Sequence, residues 1–181
     1  MIKPYNIFCD MDGVIVDLNQ GLRNALGRGY DPEEWHKNGE EKKQLIRDYP
    51  NFWEDLPPTK DFGTLWSFIE HFNPSILTAY AEWDIEDSVR EKWLWNVKHT
   101  GIPKSHYFCV ARGEKKLFAT DSNGKPNVLI DDYILNIREW RAAGGIGIMH
   151  TDADHTIMKL KNLGFYIDEY NSKRYGNYQS S

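Results

Sequence analysis

Two aspartates one residue apart, Asp10 and Asp12, stand between the apolar run Ile7, Phe8, Cys9 and a glycine, Gly13. A second acidic pair, Asp131 and Asp132, closes another apolar run, Val128, Leu129, Ile130. Carboxylates brought this close repel one another unless a proton or a cation intervenes. Three or four of them facing one point imply a hard divalent cation held by oxygen ligands, and Mg²⁺ is the natural candidate. Magnesium takes one or two carboxylates together with a phosphate oxygen and keeps several waters. A hydroxyl and an ammonium complete what a phosphoryl group requires, and Thr78, Lys115 and its neighbour Lys116 supply them. One carboxylate is then left to act as nucleophile and another to handle protons.

These residues are useful together only if the elements carrying them converge. An apolar run without polar alternation suits a strand covered on both faces, and both acidic pairs end such runs. Further strands are expected over residues 74–77, ending at Thr78, over 106–110 and over 146–149. Helical patterns lie between them at 62–71, 84–99, 133–142 and 153–163, with a short helix starting at Arg112. Asp84 followed by Asp87 reads as an acidic variant of a capping box. Strands alternating with helices give an α/β protein with a doubly wound parallel sheet, in which every strand delivers its carboxyl end to one edge. Ligands bind outside that edge. Asp10, Asp12, Thr78, Asp131 and Asp132 are thereby gathered in space, with Lys115 or Lys116 in reach.

Between Asp17 and Phe72 the strand signal gives way to helical, aromatic and charged residues. Asp31-Pro32-Glu33-Glu34 reads as a helix start, residues 40–49 as a polar helix, and Phe52-Trp53 precedes the Pro57-Pro58 turn. This is an insertion after the first strand. The organisation expected is a core over 1–17 and 73–168, a helical cap over 18–72, and a loose tail over 169–181.

Composition narrows the function. The 181 residues are 40% hydrophobic, enough for one core and a small accessory lobe, and the net charge of −5 leaves no cationic footprint for a stable nucleic-acid partner. Cys9 and Cys109 fall inside strand-like runs, which points to reduced thiols and a cytoplasmic location. The first residues carry no secretory pattern, and no apolar stretch is long enough to span a membrane. The six histidines lack metal-ligand spacing and read as bystanders.

The ordered set Asp10-x-Asp12-Gly13-Val14, Thr78, Lys115 and Asp131-Asp132 resembles the four motifs of the haloacid dehalogenase (HAD) superfamily. Phe52-Trp53-x-x-Leu56-Pro57, Leu129-Ile130-Asp131-Asp132 and Trp140-x-x-x-Gly144-Gly145-Ile146-Gly147-Ile148 are similar to its 5'(3')-deoxyribonucleotidase branch, including small bacterial and phage-type members. The resemblance covers about residues 5–150 and implies a HAD-like, Rossmannoid core with the insertion as a cap over the active site. It implies that Asp10 is the nucleophile that takes up the phosphoryl group and that Asp12 protonates the leaving oxygen and then activates water. It implies Mg²⁺ held by the Asp10 carboxylate, the Asp12 backbone carbonyl and Asp132, with Asp131 ligating or orienting a water. Thr78, with Ala79 after it, and Lys115 in preference to Lys116 would hold the phosphoryl group. Phe52 and Trp53 in the cap, and Tyr80 with Trp83 at the rim, are candidates for contact with a base, although cap and core packing would account for the same aromatics. The expected function is Mg²⁺-dependent hydrolysis of nucleoside monophosphates, deoxyribonucleotides foremost. A sugar phosphate, another small phosphomonoester or a terminal nucleic-acid phosphate is the alternative substrate, and a non-catalytic phosphate-binding module the alternative class. A homodimer is compatible with the resemblance. Receiver domains gather similar groups, but in a different order along the chain.

Overall fold

Five short strands, all parallel, form a single sheet in the order β3-β2-β1-β4-β5 in the computed structural model, which describes residues 4–27 and 39–167. They are β1 (Ile7–Cys9), β2 (Ser75–Ala79), β3 (Tyr107–Val110), β4 (Val128–Asp131) and β5 (Ile146–Met149). The central strands are the ones with unbroken apolar runs: every residue of β1 and β4 is buried. The helix start expected at Asp31, the histidine His36 and the tail over 169–181 lie outside the described residues.

Alternate residues of each strand feed two cores. Ile7, Cys9, Ile76, Val128 and Ile130 pack on one face with Leu65, Trp66, Ile69, Trp95 and Leu160. Phe8, Leu77 and Leu129 pack on the other with Ala119, Ile137 and Trp140. The first face is covered by α3 (Phe62–Ile69), α4 (Ile85–His99) and α6 (Ala153–Asn162), the second by α5 (Ile134–Ala142) and a 3₁₀ segment over Arg112–Phe118. The remaining helices, α1 (Leu18–Leu26) and α2 (Gly39–Arg47), pack on each other. Within the region expected to form the cap, α3 packs against α6 and so belongs to the layer covering the sheet.

Local chemistry caps some helices and not others. Asp17 and Asp152 cap α1 and α6 by accepting from the N–H groups of Gln20 and His155, at 2.9 and 2.8 Å. Asp84 precedes α4 but makes no cap bond, so the expected capping box does not form. Its Oδ2 instead accepts from Trp53 Nε1 at 2.7 Å. A tertiary bond to an indole in the insertion takes the acid that local pattern assigned to the helix. The expected strands and helices otherwise appear, their ends displaced by one or two residues.

The repeated glycines after α5 have a packing reason. A Cβ at Gly145 would lie 2.2 Å from Trp140 Nε1, and that indole donates to the Asn127 carbonyl at 3.1 Å. The bare backbone lets the ring close over the start of β5. Among the described residues no helix is long and apolar enough to cross a membrane.

Candidate active site

The strand order reverses between β1 and β4, and the crevice at such a switch point is where ligands of open α/β sheets bind. Cys9 is in register with Ile130, and the Asp10 N–H donates to the Ile130 carbonyl at 2.9 Å. Asp10 therefore sits beside Asp131 at the carboxyl edge. The chain then turns tightly: Gly13 N–H donates to Val16 O at 2.8 Å, and Ile15 and Val16 N–H both donate to Met11 O at 2.9 Å. This turn brings Asp12 back over the strand end.

Gly13 is required twice in that turn. Its φ of 75° is left-handed, and a Cβ there would lie 1.9 Å from Asp132 Oδ2. Gly13→Ala is expected to lower stability by about 1–2 kcal/mol through the backbone alone, and to push Asp132 aside. Urea unfolding checks this, and a variant as stable as the parent would contradict the geometry.

Carboxylate oxygens of Asp10, Asp131 and Asp132 lie within 4.8 Å of one another. The three differ in what else they touch. Asp10 is buried, with Oδ1 accepting from Met11 N–H at 2.8 Å and Oδ2 2.9 Å from Lys115 Nζ. Burial pushes its pKa up to about 6 although Lys115 pulls the other way. Asp131 is fully buried and saturated. It accepts from Lys115 Nζ at 2.9 Å, Tyr133 N–H at 2.9 Å and Asn136 Nδ2 at 2.9 and 3.1 Å. Asn136 is held in turn by Arg112, whose guanidinium also forks onto Glu139.

Asp132 is the open member of the set. Its carboxylate is tucked against Gly13, and loss of water there, followed by the charges of Asp10 and Asp131, pushes its pKa up to about 7. A cation would relieve that crowding, and the donor set, hard oxygens with one carboxylate unsaturated, fits Mg²⁺. Asp10 and Asp132 have oxygen to offer it. Asp131, with both oxygens taken, is placed to hold Lys115.

Lys115 is 3% exposed and bridges Asp10 and Asp131, whereas Lys116 is exposed. Burial works against the Lys115 ammonium, but the charges and hydrogen bonds of Asp10 and Asp131 outweigh it and hold its pKa above the usual lysine range.

A cavity of about 630 Å³ opens onto Asp10, Asp12, Gly13 and Asp132. Its other walls come from Asp17, Leu18 and Asn19, from Thr59, Lys60 and Asp61, and from Tyr133, His150 and Thr151. Thr78, Ala79 and Lys115 lie behind the carboxylates and do not line it. His150, without metal-ligand spacing in the sequence, lines the cavity with Nδ1 2.8 Å from Thr156 Oγ1.

The aromatic candidates are placed elsewhere. Phe52 and Trp53 are buried, stacked edge to face at 4.9 Å, and do not line the cavity. Trp53 is fixed at both ends, its backbone N–H donating to Glu91 Oε2 at 3.0 Å and its indole to Asp84. Trp83 packs beside Trp53 at 5.8 Å. Tyr80 donates its backbone N–H to Val110 O at 3.1 Å and is likewise off the cavity. The Phe52, Trp53 and Trp83 rings serve packing between the insertion and the start of α4.

Sequence reasoning missed Lys92, on α4. It is 1% exposed, with Nζ 2.5 Å from Asp12 Oδ2, 2.8 Å from Ala79 O and 3.4 Å from Thr78 Oγ1. The signal that could have found it is helical period: Ser88, Glu91, Lys92, Trp95 and Asn96 form one buried face, and a lysine on such a face needs a partner.

No protein-family model and no curated protein matches the chain. Solved structures do. One is a hydrolase from Streptococcus pneumoniae TIGR4, 14% identical, covering 88% of this chain and 100% of its own, with a TM-score of 0.53. Another is a hydrolase from Pseudomonas syringae, 15% identical over 88% of this chain and 90% of its own, at 0.51. The L-2-haloacid dehalogenase from Xanthobacter autotrophicus is 14% identical over 95% of this chain and 86% of its own, at 0.50. At such identities the likeness shows the fold alone, an α/β architecture that this chain shares with two hydrolases and a haloacid dehalogenase.

Proposed function

We propose that the chain is a Mg²⁺-dependent phosphomonoesterase that hydrolyses nucleoside monophosphates, deoxyribonucleotides foremost, through an aspartyl phosphate on Asp10. The observation that carries this reading is the convergence of Asp10, Asp12 and Asp132 from separate elements on one cavity of small-ligand size, with Lys115 directly behind them against Asp10. A dehalogenase reading leaves the crowded Asp132 carboxylate without a cation to relieve it.

Asp10 attacks phosphorus as a carboxylate, forming an oxygen–phosphorus bond, the mixed anhydride of an aspartyl phosphate, while the bond from phosphorus to the leaving oxygen breaks. Asp12 gives that oxygen its proton. Water then attacks the same phosphorus, Asp12 takes a proton from it, and phosphate departs with Asp10 restored. Lys115, held by Asp10 and Asp131, balances charge on the phosphoryl oxygens. Asp10, Asp132 and the Asp12 backbone carbonyl would hold Mg²⁺, which when bound neutralises charge on the transferring group.

The cap role falls to α1, α2 and the segment through Pro58. With Phe52, Trp53 and Tyr80 off the cavity, contact with the leaving nucleoside falls to Leu18, Asn19 and Tyr133, which line its walls.

The test is phosphate release from deoxy- and ribonucleotides with 5' or 3' phosphates and from sugar phosphates, with Mg²⁺ and with EDTA. Nucleotides are expected to be cleaved fastest, and EDTA to slow turnover by roughly 10²-fold or more, the scale of several kcal/mol of charge stabilisation. Preference for sugar phosphates would remove the nucleotide assignment. No release from any monoester would remove the phosphatase.

A further inference from the structure

We propose that Lys92 is the positioning residue of the first chemical step, its ammonium holding the Asp12 side chain where, as the carboxylic acid, it can protonate the leaving oxygen. This rests on the phosphomonoesterase reading and adds to it a residue outside the four motifs of the resemblance.

The ammonium has three N–H groups and three acceptors: Asp12 Oδ2 at 2.5 Å, Ala79 O at 2.8 Å and Thr78 Oγ1 at 3.4 Å. Two of these belong to the end of β2 and are as rigid as the sheet. Lys92 thus ties Asp12, in the turn after β1, to the edge of the neighbouring strand. The indole of Trp53 closes over the ammonium, with Nζ 5.0 Å from the ring centroid, and is itself anchored by Glu91 and Asp84. With all three N–H groups directed at the three acceptors, the ammonium has none to offer a phosphate, so it acts through Asp12.

Asp12 depends on this contact. Its other oxygen, Oδ1, is buried without a hydrogen-bond partner, and among the described residues no other donor reaches the carboxylate. The side chain is 26% exposed and lines the cavity, and Lys92 fixes it there through Oδ2. A buried lysine is a costly way to fill space, since an apolar side chain of its size would pack there without being stripped of water. The two lysines also divide the carboxylates between them. Lys115 serves Asp10 and Asp131, and Lys92 serves Asp12.

A purely structural ion pair and a positioning residue differ in which substrates feel its loss. Protonation matters for an alkoxide leaving group and hardly at all for p-nitrophenolate. With Mg²⁺ present, kcat/KM is measured for a deoxyribonucleoside 5'-monophosphate and for p-nitrophenyl phosphate, in the parent and in Lys92→Met. The nucleotide value is expected to fall about 10²-fold, the scale of general acid catalysis, with p-nitrophenyl phosphate close to unchanged. Lys92→Gln, which keeps one donor for Asp12, should recover part of the loss, and takes the place of Lys92→Met if that variant does not fold. A parallel fall for both substrates overturns the proposal. Metal-free urea unfolding of Lys92→Met, Asp12→Asn and the double variant adds a readout apart from activity. The effects should be strongly non-additive, and simple additivity would also overturn the proposal. If the parent cleaves neither ester, the phosphomonoesterase reading falls and this one with it. If the parent is active and the two substrates fall together, only the role of Lys92 is lost.

Discussion

Asp10→Asn is expected to abolish phosphate release and, at the same time, to make the metal-free protein more stable at neutral pH. The loss should be roughly 10⁴-fold or more, because a carboxamide cannot form the aspartyl phosphate and removing a nucleophile costs on that scale. The gain has a separate cause. Burial raises the Asp10 pKa from 3.8 to about 6 against the pull of Lys115, with the charge of Asp131 adding to the rise. A folded pKa above the unfolded one means that the native state binds this proton more tightly. The associated stability is present below about pH 4 and is lost as pH rises through about 6. At pH 7.5 the ionised carboxylate is therefore a net burden, of order 3 kcal/mol. Asparagine removes that burden, can still accept from the Met11 N–H, and leaves Lys115 its bond to Asp131. The pull of Lys115 is already contained in that figure; what asparagine gives back is the extra strength a charged acceptor lends the Met11 N–H bond, so a net increase of about 1–2 kcal/mol is expected, or about 2–8 °C in Tm for a chain of this size. Thermal unfolding in EDTA at pH 7.5 and pH 5 checks the sign, the advantage shrinking at the lower pH. An active variant would remove Asp10 from the chemistry. A variant less stable than the parent at both pH values would show that the Lys115 contact outweighs burial.

The parts of this site written into contiguous sequence were legible, and those made by tertiary contact were not. Asp10, Asp12 and Gly13 follow a strand whose residues are all buried, and Asp131 ends its neighbour, so apolar runs alone placed the acids at one edge. The choice of Asp132 as the ligand came from resemblance. The physical basis is visible only in three dimensions, where Tyr133, Asn136 and Lys115 consume Asp131. Lys115 and Lys116 could not be separated by periodicity because the segment that carries them is a 3₁₀ helix of seven residues, with its own turn angle. Phe52 and Trp53 invited a stacking role because aromatic pairs near a proline turn look accessible in sequence. Their burial depends on Glu91 and Asp84, more than thirty residues downstream. Lys92 is the hardest case. Within Arg90-Glu91-Lys92 it looks like one charge of a solvated helix, and its partner Asp12 lies 80 residues away.

Lys115→Met is expected to be the most damaging single change to stability. The ammonium is nearly inaccessible and lies 2.9 Å from both Asp10 and Asp131, so its removal leaves two buried carboxylates facing one another. Breaking a buried ion pair by deleting one partner costs about 3–5 kcal/mol, a large share of the 5–15 kcal/mol that holds a typical domain together. Methionine matches the stem in length and volume, so the loss is one of charge and not of packing. Its pH dependence follows from the partners. Lys115 itself is held in the charged form across the accessible range, and its stabilisation would fade only at pH values above the usual lysine range. Asp10 releases its proton near pH 6 even with Lys115 beside it. Above that value the variant must either bury an uncompensated negative charge or take up a proton that the parent does not carry. Below it, Asp10 is neutral in both proteins. The deficit should therefore be largest at pH 8 and should narrow toward pH 5, whereas loss of an ordinary surface lysine, charged throughout that window, would give a deficit that hardly changes. Metal-free urea unfolding of Lys115→Met at the two pH values measures it. A deficit that did not change with pH would assign the damage to packing and remove Lys115 from the electrostatics of the site.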